Sequence, residues 1–485
     1  MLRPRKPKLI KLHQKQYSAA EVKQLLHRQY SADLVLKKSV EAPAVVLERT
    51  VETGTQILHA VPGGKGVQKA KNYWHMLGPG LTTGASDDDP SGIATYSQTG
   101  AQFGYHFLWL AAWLYPLASV VQEMCARIGL VTGRGLAANI RVHYSKRVLQ
   151  ICTVLLFAAN AFNIGADLGA MAKGVQLLNP HLHFWLLVVA FALLSLFLQI
   201  FTPYVRYARY LKWLALILLS YILSSLLAHL DWHTVLSHSF VPAFHWGKEE
   251  VLLVCAILGT TISPYLFFWQ TSQEVEEQIL QGKTTVRERR TATQPGDIKS
   301  MRIDVWTGML LSEVVMFFII AACGGVLFQH GVTNITSAAQ AAEALRPFAG
   351  NATYFLFAAG IIGTGLLAIP VLAGSSSYAI AESFGWKEGL YRGLSQAYAF
   401  YGIIIISMLV GLGLNFVGID PIKALIYSAV ANGLVAPIIL FLIVRISSSK
   451  KVMGHWVNKR STTWIGWAVT LLMAVAGIAA IVALF

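Results

Sequence analysis

The segment GPGLTTGASDDDPSGIATYSQTGA, residues 78–101, lies in an apolar stretch that is long enough to cross a lipid bilayer. Its middle holds three adjacent aspartates, Asp87, Asp88 and Asp89, followed directly by Pro90. Proline removes a backbone donor, so we expect a helix through this segment to unwind near Pro90. A charge at membrane depth costs about 2.5–3.5 kcal/mol on insertion scales, so the aspartates indicate function, and their mutual repulsion indicates a cation.

A second apolar stretch is interrupted in the same way. The segment GTTISPYLFFWQ, residues 259–270, places Ser263 and Pro264 near the middle of the sixth apolar span. Paired interruptions at corresponding positions of two halves are the best sequence indication of an inverted-repeat transporter. The sequence therefore predicts an all-α, polytopic membrane protein with a five-plus-five inverted repeat, whose broken first and sixth helices face a substrate at the midplane.

The composition agrees with a membrane protein. Of the 485 residues, 55% are hydrophobic and only 13% are charged, and the mean hydropathy is +0.53. A soluble globular chain has about a quarter charged residues, so a soluble enzyme and a nucleic-acid-binding module are excluded. The four cysteines lie in or beside apolar runs without CxxC spacing, which is typical of packing residues. No phosphate-binding loop or Ser-His-Asp arrangement indicates an enzyme, and we expect no cofactor.

Two regions are predicted, a tail over residues 1–72 and a transporter domain over residues 73–485. Repeat one covers residues 77–228, repeat two covers residues 250–445, and an extra helix covers residues 464–485. A span needs about 20 apolar residues. The eleven predicted spans are 77–103, 107–130, 148–178, 184–201, 211–227, 251–271, 305–328, 354–380, 395–412, 422–444 and 464–485. A charged loop, 272–302, joins the sixth and seventh spans.

The basic residues predict the orientation in the cell membrane. If the N-terminus is cytoplasmic and the spans alternate, only four of the 39 lysines and arginines fall on the outer side, namely Lys173, Lys248, Arg346 and Lys423. Cytoplasmic loops carry the excess of basic residues in membrane proteins. The C-terminus is then extracytoplasmic. A partly ordered tail apposed to the membrane is favoured over a regulatory domain.

Three stretches resemble the natural resistance-associated macrophage protein (Nramp) family, which contains proton-coupled importers of manganese, iron and other divalent metals. They are residues 78–101, the segment TGRGLA from Thr132, and residues 259–270. The resemblance runs from about Trp74 through all the predicted spans. It implies the inverted-repeat fold and a divalent metal cation as the transported substrate.

The resemblance also implies a metal site, with departures. The family's Asp-Pro-Gly-Asn motif reads Asp89-Pro90-Ser91-Gly92, which keeps the carboxylate and loses the amide ligand. Its Met-Pro-His motif reads Ser263-Pro264-Tyr265, so a hydroxyl replaces the thioether. A backbone carbonyl ligand of the family maps to Thr260. We expect four residues to bind the metal, namely Asp89, Thr260, Ser263 and Asp88.

The proton-handling groups of the family are largely replaced. Two histidines become Tyr265 and Gln270, and the Asp-Leu-Ala-Glu run of the third span reads Asp167-Leu168-Gly169-Ala170. The candidate ion pathway consists of Asp87, Asp167, Tyr265 and Gln270. Alternatively, Asp167 is a structural partner of Asn163, one helical turn away, or of Asn160, two turns away.

An all-oxygen site suits hard divalent ions, whereas a sulfur ligand favours transition metals. The chain resembles most a branch of the family that carries Mg²⁺. The predicted function is uptake of Mg²⁺ and/or Mn²⁺ by alternating access without proton coupling, in a lipid bilayer and without an obligatory oligomer.

Three alternatives remain open. A proton-coupled Mn²⁺/Fe²⁺ importer would use Asp87 or Asp88 to replace the lost ligands. A carrier of a small organic solute would have an uncharged first break, so the aspartates disfavour it. A membrane sensor would signal through residues 1–72.

Overall fold

The computed structural model describes residues 72–228, 230–242, 247–417 and 421–484. The chain divides into two compact units, residues 1–75 and 76–485. The predicted tail and the C-terminal Phe485 therefore lie outside the described residues, apart from residue 72 of the tail. All the helices named in the following paragraphs belong to the second unit.

All regular secondary structure in the described ranges is helical. A short 3-10 helix, Ala215–Leu218, joins α7 to α8. The α-helices are α1 Pro79–Asp87, α2 Pro90–Phe103, α3 Trp109–Thr132, α4 Leu136–His143, α5 Lys146–Leu178, α6 Phe184–Phe201, α7 Tyr204–Leu214, α8 Leu219–Leu227, α9 Trp232–Ser237, α10 Lys248–Thr261, α11 Pro264–Leu280, α12 Val286–Ala292, α13 Pro295–Val326, α14 Ala338–Phe384, α15 Tyr398–Phe416, α16 Pro421–Ser447, α17 Lys450–Met453 and α18 Arg460–Leu484.

Each predicted span coincides with helix. Within the described residues, 8 helices are long and apolar enough to cross a membrane, when α7 is counted together with α8 and α10 together with α11. Three predicted spans are not among them. These are the broken first span, the span of α3, which carries Glu123 and Arg127, and the span of α16, where Val435–Ser447 is a shorter apolar helix.

The predicted loop 272–302 is largely helical. Helix α11 continues to Leu280, and α12 and the first turns of α13 follow. The glutamates in α11, whose charge suggested a solvated loop, accept hydrogen bonds from other side chains of the protein. The carboxylate of Glu276 accepts hydrogen bonds from the hydroxyl of Tyr378 (2.5 Å) and the backbone N–H of Leu390 (2.7 Å). The charged residues therefore predicted the wrong end for this helix. A carboxylate that accepts hydrogen bonds can be buried in a packed helix.

Helix α13 runs unbroken beside the broken first span and contacts both α1 and α2. A Cβ atom on Gly84 would lie 2.2 Å from the backbone of Gly308, and one on Gly100 would lie 2.5 Å from the carbonyl oxygen of Ile320. Only glycine permits such close contact between helices. The two contacts fix the height of α13 against the span on either side of its break.

Candidate functional site

The first span breaks at the predicted position. Helix α1 ends at Asp87, Asp88 leaves the helical region (φ −85°, ψ 55°), and α2 begins at Pro90. Asp89 is the N-cap of α2. Its Oδ1 accepts hydrogen bonds from the hydroxyl of Ser91 (2.6 Å) and the backbone N–H of Gly92 (2.7 Å). These bonds orient the carboxylate at the positive end of a helix, where an anionic group is stabilised.

The sixth span breaks between Thr261, the last residue of α10, and Pro264, the first residue of α11. The hydroxyl of Ser263 donates to the carbonyl oxygens of Gly259 (2.6 Å) and Thr260 (2.8 Å). Pro264 lacks the N–H that would pair with the Thr260 carbonyl in a helix. The Ser263 hydroxyl substitutes for that donor, and its oxygen lone pairs stay free to accept or to bind a cation.

At the first break, too, a side-chain hydroxyl replaces the N–H donor that a proline lacks. Pro90 lacks the N–H that would pair with the carbonyl of Ser86, four residues earlier. The phenol of Tyr265, in the first turn of α11, donates to that carbonyl at 3.0 Å. Tyr265, predicted to lie on an ion pathway, therefore joins the two breaks through a backbone hydrogen bond.

The three aspartates of the first break are buried, with at most 2% of each exposed. Oδ2 of Asp87 accepts a hydrogen bond from the hydroxyl of Ser312 (3.0 Å) in α13. Its other oxygen, and both oxygens of Asp88, have no hydrogen-bond partner. Glu313, beside Ser312, is 3% exposed and also lacks partners for both oxygens. Sequence reasoning missed Glu313, although a lone acid within an apolar span was a signal for it.

Asp167, in α5, is buried, and neither of its carboxylate oxygens has a hydrogen-bond partner. The alternative in which Asp167 pairs with Asn160 or Asn163 is wrong, because neither carboxylate oxygen has a hydrogen-bond partner. The amide of Asn160 donates to α14 instead, because polar backbone and hydroxyl oxygens there lie closer. Its acceptors are the carbonyl of Leu372 and the hydroxyls of Ser375 and Ser376.

Gln270 lies further along α11 than Tyr265. Its amide donates to Glu274 at 2.9 Å, and its carbonyl oxygen is buried without a partner. Neither Tyr265 nor Gln270 is a histidine. Beyond the break, the predicted pathway along α11 therefore contains the amide of Gln270 and the carboxylate of Glu274.

Within the described residues, no three His, Cys, Asp or Glu side chains are arranged to hold one metal ion together. The oxygen atoms at the two breaks belong to carboxylates, a backbone carbonyl and a hydroxyl, namely those of Asp88, Asp89, Thr260 and Ser263.

The end of the first span at residue 77 is held closed by polar contacts. The Asp304 carboxylate, in α13, accepts hydrogen bonds from the backbone N–H groups of Gly78 (2.8 Å), Gly80 (2.7 Å) and Leu81 (2.9 Å). The ammonium group of Lys212 donates to the carbonyl of Leu77 (2.5 Å). A carboxylate from another helix thus caps the N-terminus of α1, and α1 cannot move away from α13 without losing three charge-assisted bonds.

Comparisons with known proteins give one family match and several relatives. The family model Nramp, natural resistance-associated macrophage protein-like, matches residues 80–483. The divalent metal cation transporter MntH of Klebsiella pneumoniae subsp. pneumoniae is 27% identical over 406 residues, which cover 82% of this chain and 91% of the relative. MntH of Deinococcus radiodurans is 26% identical over 423 residues, covering 86% and 91%.

Two solved structures share the fold. The Eremococcus coleocola manganese transporter, in complex with an aromatic bis-isothiourea substituted compound, aligns with a TM-score of 0.65 at 20% identity, covering 86% of this chain and 88% of that one. Mhp1, a nucleobase-cation-symport-1 family transporter, in a closed conformation with bromovinylhydantoin bound, aligns with a TM-score of 0.54 at 17% identity, covering 84% and 91%. The predicted all-α, inverted-repeat membrane transporter fold is confirmed.

Proposed function

Because the chain belongs to the natural resistance-associated macrophage protein-like family, we propose that it carries divalent metal cations across a membrane by alternating access. It is a multi-pass membrane protein and a transporter rather than an enzyme. The observation that carries the proposal is the Asp89 carboxylate at the unwound centre of the first span, bound to the start of α2. An oriented anionic oxygen at a helix break is what a transported cation needs.

The donors around the two breaks are oxygen atoms, and this favours hard ions. Besides Asp89, they are the carbonyl of Thr260 and the hydroxyl of Ser263, which contact each other at 2.8 Å. Asp88 completes the expected ligand set with two unpartnered oxygens. Oxygen ligands suit Mg²⁺ and Mn²⁺, and the absence of a thioether at Ser263 reduces the advantage of softer ions. We therefore propose Mg²⁺ and/or Mn²⁺ as substrates.

Transport is proposed to be independent of protons. The phenol of Tyr265 donates its hydrogen bond to the Ser86 carbonyl, and the side chain of Gln270 has no titratable proton. Asp167 is the acid that remains on the family's route, since Ala170 stands where a carboxylate would be. A divalent ion falling through 100 mV gains roughly 4.6 kcal/mol, which drives uptake without a coupled proton.

The experiment is uptake into proteoliposomes that contain a pH indicator. Mg²⁺ and Mn²⁺ are supplied with and without a pH gradient, and a negative internal potential is imposed. The proposal predicts saturable uptake of either ion, no change of internal pH in step with metal flux, and no dependence on the gradient. Internal acidification proportional to metal flux would refute the proton-independent mechanism and leave metal transport intact.

A proton-coupled Mn²⁺/Fe²⁺ importer is the second candidate. It is favoured by the names of the curated relatives and of the Eremococcus coleocola transporter, which refer to divalent metal and manganese. Competition by Cd²⁺ separates the two candidates. Tight block of Mg²⁺ uptake by Cd²⁺, a soft ion, would favour the second candidate over an all-oxygen site.

A further inference from the structure

Gly92, in the first turn of α2, has no side chain, and three oxygen atoms lie around the point where a Cβ atom would be. A Cβ atom there would lie 3.3 Å from the carbonyl oxygen of Asp87, 3.5 Å from Oδ1 of Asp89 and 3.5 Å from the phenol oxygen of Tyr96. The Asp89 carboxylate is the anionic group of the proposed transport site. The phenol of Tyr96 therefore lies beside the group that this site uses.

The position of Tyr96 follows from its spacing along α2. Gly92 and Tyr96 are four residues apart in this helix, so they lie on the same face, one turn apart. Asp89 is the N-cap of the helix, and its Oδ1 accepts a hydrogen bond from the backbone N–H of Gly92 (2.7 Å). One short stretch of sequence thus brings the carboxylate and the phenol to the same place.

The phenol of Tyr96 lacks a hydrogen-bond partner, whereas the Asp89 carboxylate has two donors. Tyr96 is fully buried, and its hydroxyl bonds to no other group among the described residues. A buried polar group without a partner is costly, and buried polar side chains are normally paired. A phenol oxygen can also accept a hydrogen bond while its O–H donates one. A partner that arrives with the transported substrate removes this cost.

The water shell of a divalent cation is a partner of the right chemistry. Water bound to a cation turns its hydrogen atoms outward, so the groups around a hydrated ion have to accept hydrogen bonds. Carbonyl, carboxylate and phenol oxygens are all acceptors. A bound water needs two to four polar partners, and three acceptors lie around the point beside Gly92. Mg²⁺ dehydrates reluctantly and usually keeps several waters in a protein site.

We propose that Tyr96 is a specificity-determining residue of the transport site, whose phenol oxygen accepts a hydrogen bond from a water molecule carried by the ion beside Gly92. The ion is then held at Asp89 with part of its water shell, which favours Mg²⁺ over ions that lose their waters more easily. This inference rests on the proposed function, because it concerns the same site. It adds a residue that recognises the hydration of the ion rather than its charge.

The test is the binding of Mg²⁺ and Mn²⁺ to the purified full-length protein in nanodiscs, with Mn²⁺ measured by equilibrium dialysis and Mg²⁺ by competition. Tyr96→Phe removes the phenol oxygen and keeps the ring. We expect its dissociation constant to rise about tenfold for Mg²⁺ and about threefold or less for Mn²⁺, because one hydrogen bond to the water shell is lost. The matched control is Tyr207→Phe. Tyr207, in α7, is also buried, and its phenol also lacks a partner among the described residues, so this variant should bind both ions as the wild type does.

Gly92→Ala is a second variant, which places a methyl group at the point between the three oxygen atoms. Gly92 is not among the glycines with positive φ, so its backbone conformation accepts alanine. We expect the same loss of preference for Mg²⁺, because the methyl group occupies the place of the water. The control is Gly402→Ala in α15, where a Cβ atom would have no neighbour within 4 Å among the described residues outside its own helical turn. That variant should keep both affinities.

Thermal unfolding without metal separates recognition of the ion from a structural role of the phenol. Tyr96→Phe should unfold at the wild-type temperature or above it, because the variant removes a buried hydroxyl that has no partner. A lower unfolding temperature for Tyr96→Phe would assign the phenol a structural role and overturn the inference. An unchanged ratio of Mg²⁺ to Mn²⁺ affinity in both Tyr96→Phe and Gly92→Ala would also overturn it and leave the proposed function standing. A wild type that binds neither ion would overturn both.

Discussion

The phenol of Tyr265 donates a hydrogen bond of 3.0 Å to the backbone carbonyl of Ser86, which has no helical donor because Pro90 follows four residues later. This bond joins the breaks of the first and sixth spans. A proline in each break frees one carbonyl, Ser86 in one and Thr260 in the other, and a hydroxyl side chain satisfies each of them. The repeated arrangement explains how two interrupted helices remain stable at membrane depth.

Tyr265→Phe removes the donor and leaves the Ser86 carbonyl buried without a partner. We expect the stability of the folded protein to fall by about 1–3 kcal/mol, the cost of an unsatisfied buried polar group. Transport should slow by the same factor at every pH, because the phenol positions the break rather than carrying a proton. Thermal unfolding in detergent and uptake across a pH series measure these effects. Tyr398→Phe is the matched control, since Tyr398 is 69% exposed. An altered pH profile in Tyr265→Phe would assign it to proton transfer instead.

Ser263→Met replaces a hydroxyl with a thioether at the sixth break. Selectivity should shift towards Mn²⁺ and Cd²⁺ and away from Mg²⁺, by about tenfold or more in the ratio of affinities, because sulfur is a soft ligand. Ser263→Ala controls for the lost hydrogen bonds to Gly259 and Thr260 without adding sulfur. The same selectivity in the Met and Ala variants would show that this side chain does not approach the ion.

Asp304→Asn weakens the cap that α13 places on the N-terminus of α1. An amide has one acceptor oxygen in place of two, so at least one of the three backbone N–H bonds is lost. We expect a loss of about 1–2 kcal/mol, read as a lower unfolding temperature. The control is Asp297→Asn, where a half-buried carboxylate caps the start of α13 itself by accepting from the backbone N–H of Gln294 (2.9 Å). Equal losses in the two variants would argue against a special role for the contact between α1 and α13.

The proposed orientation places the loop after α11 in the cytoplasm and the loop after α13 outside. In a Cys255→Ser background, where Cys125, Cys152 and Cys323 are buried, a membrane-impermeant thiol reagent should label Thr333→Cys and spare Gln281→Cys in intact cells. Both positions are exposed in the protein. Labelling of Gln281→Cys from outside would show that the orientation in the membrane is opposite to the one predicted.

The fold could be predicted because its determinants are local and strong. The two prolines at mid-depth and the lengths of the apolar stretches located the breaks and the helices. The helical ends were less certain, since Glu276 reads as a loop residue until its donors on α14 and the following loop are known.

The site could be predicted only in part. Asp88 and Asp89 stand at the break because of local sequence, whereas Glu313 reaches it through helix packing more than two hundred residues away along the chain. The partners of Asn160 and Tyr265 also depend on tertiary contacts. Only the fold shows that the Ser86 carbonyl, left without a helical donor by Pro90, receives a hydrogen bond from Tyr265.

The most direct test of the central claim is tracer uptake of Mn²⁺ into proteoliposomes by the wild type and by Asp89→Asn, with Asp231→Asn as a control for an exposed aspartate. Equal reconstitution and an unchanged size-exclusion profile establish that each variant is folded. The account predicts saturable uptake by the wild type and by Asp231→Asn, competed by Mg²⁺, and none above empty vesicles for Asp89→Asn. Uptake by Asp89→Asn at the wild-type rate would contradict it.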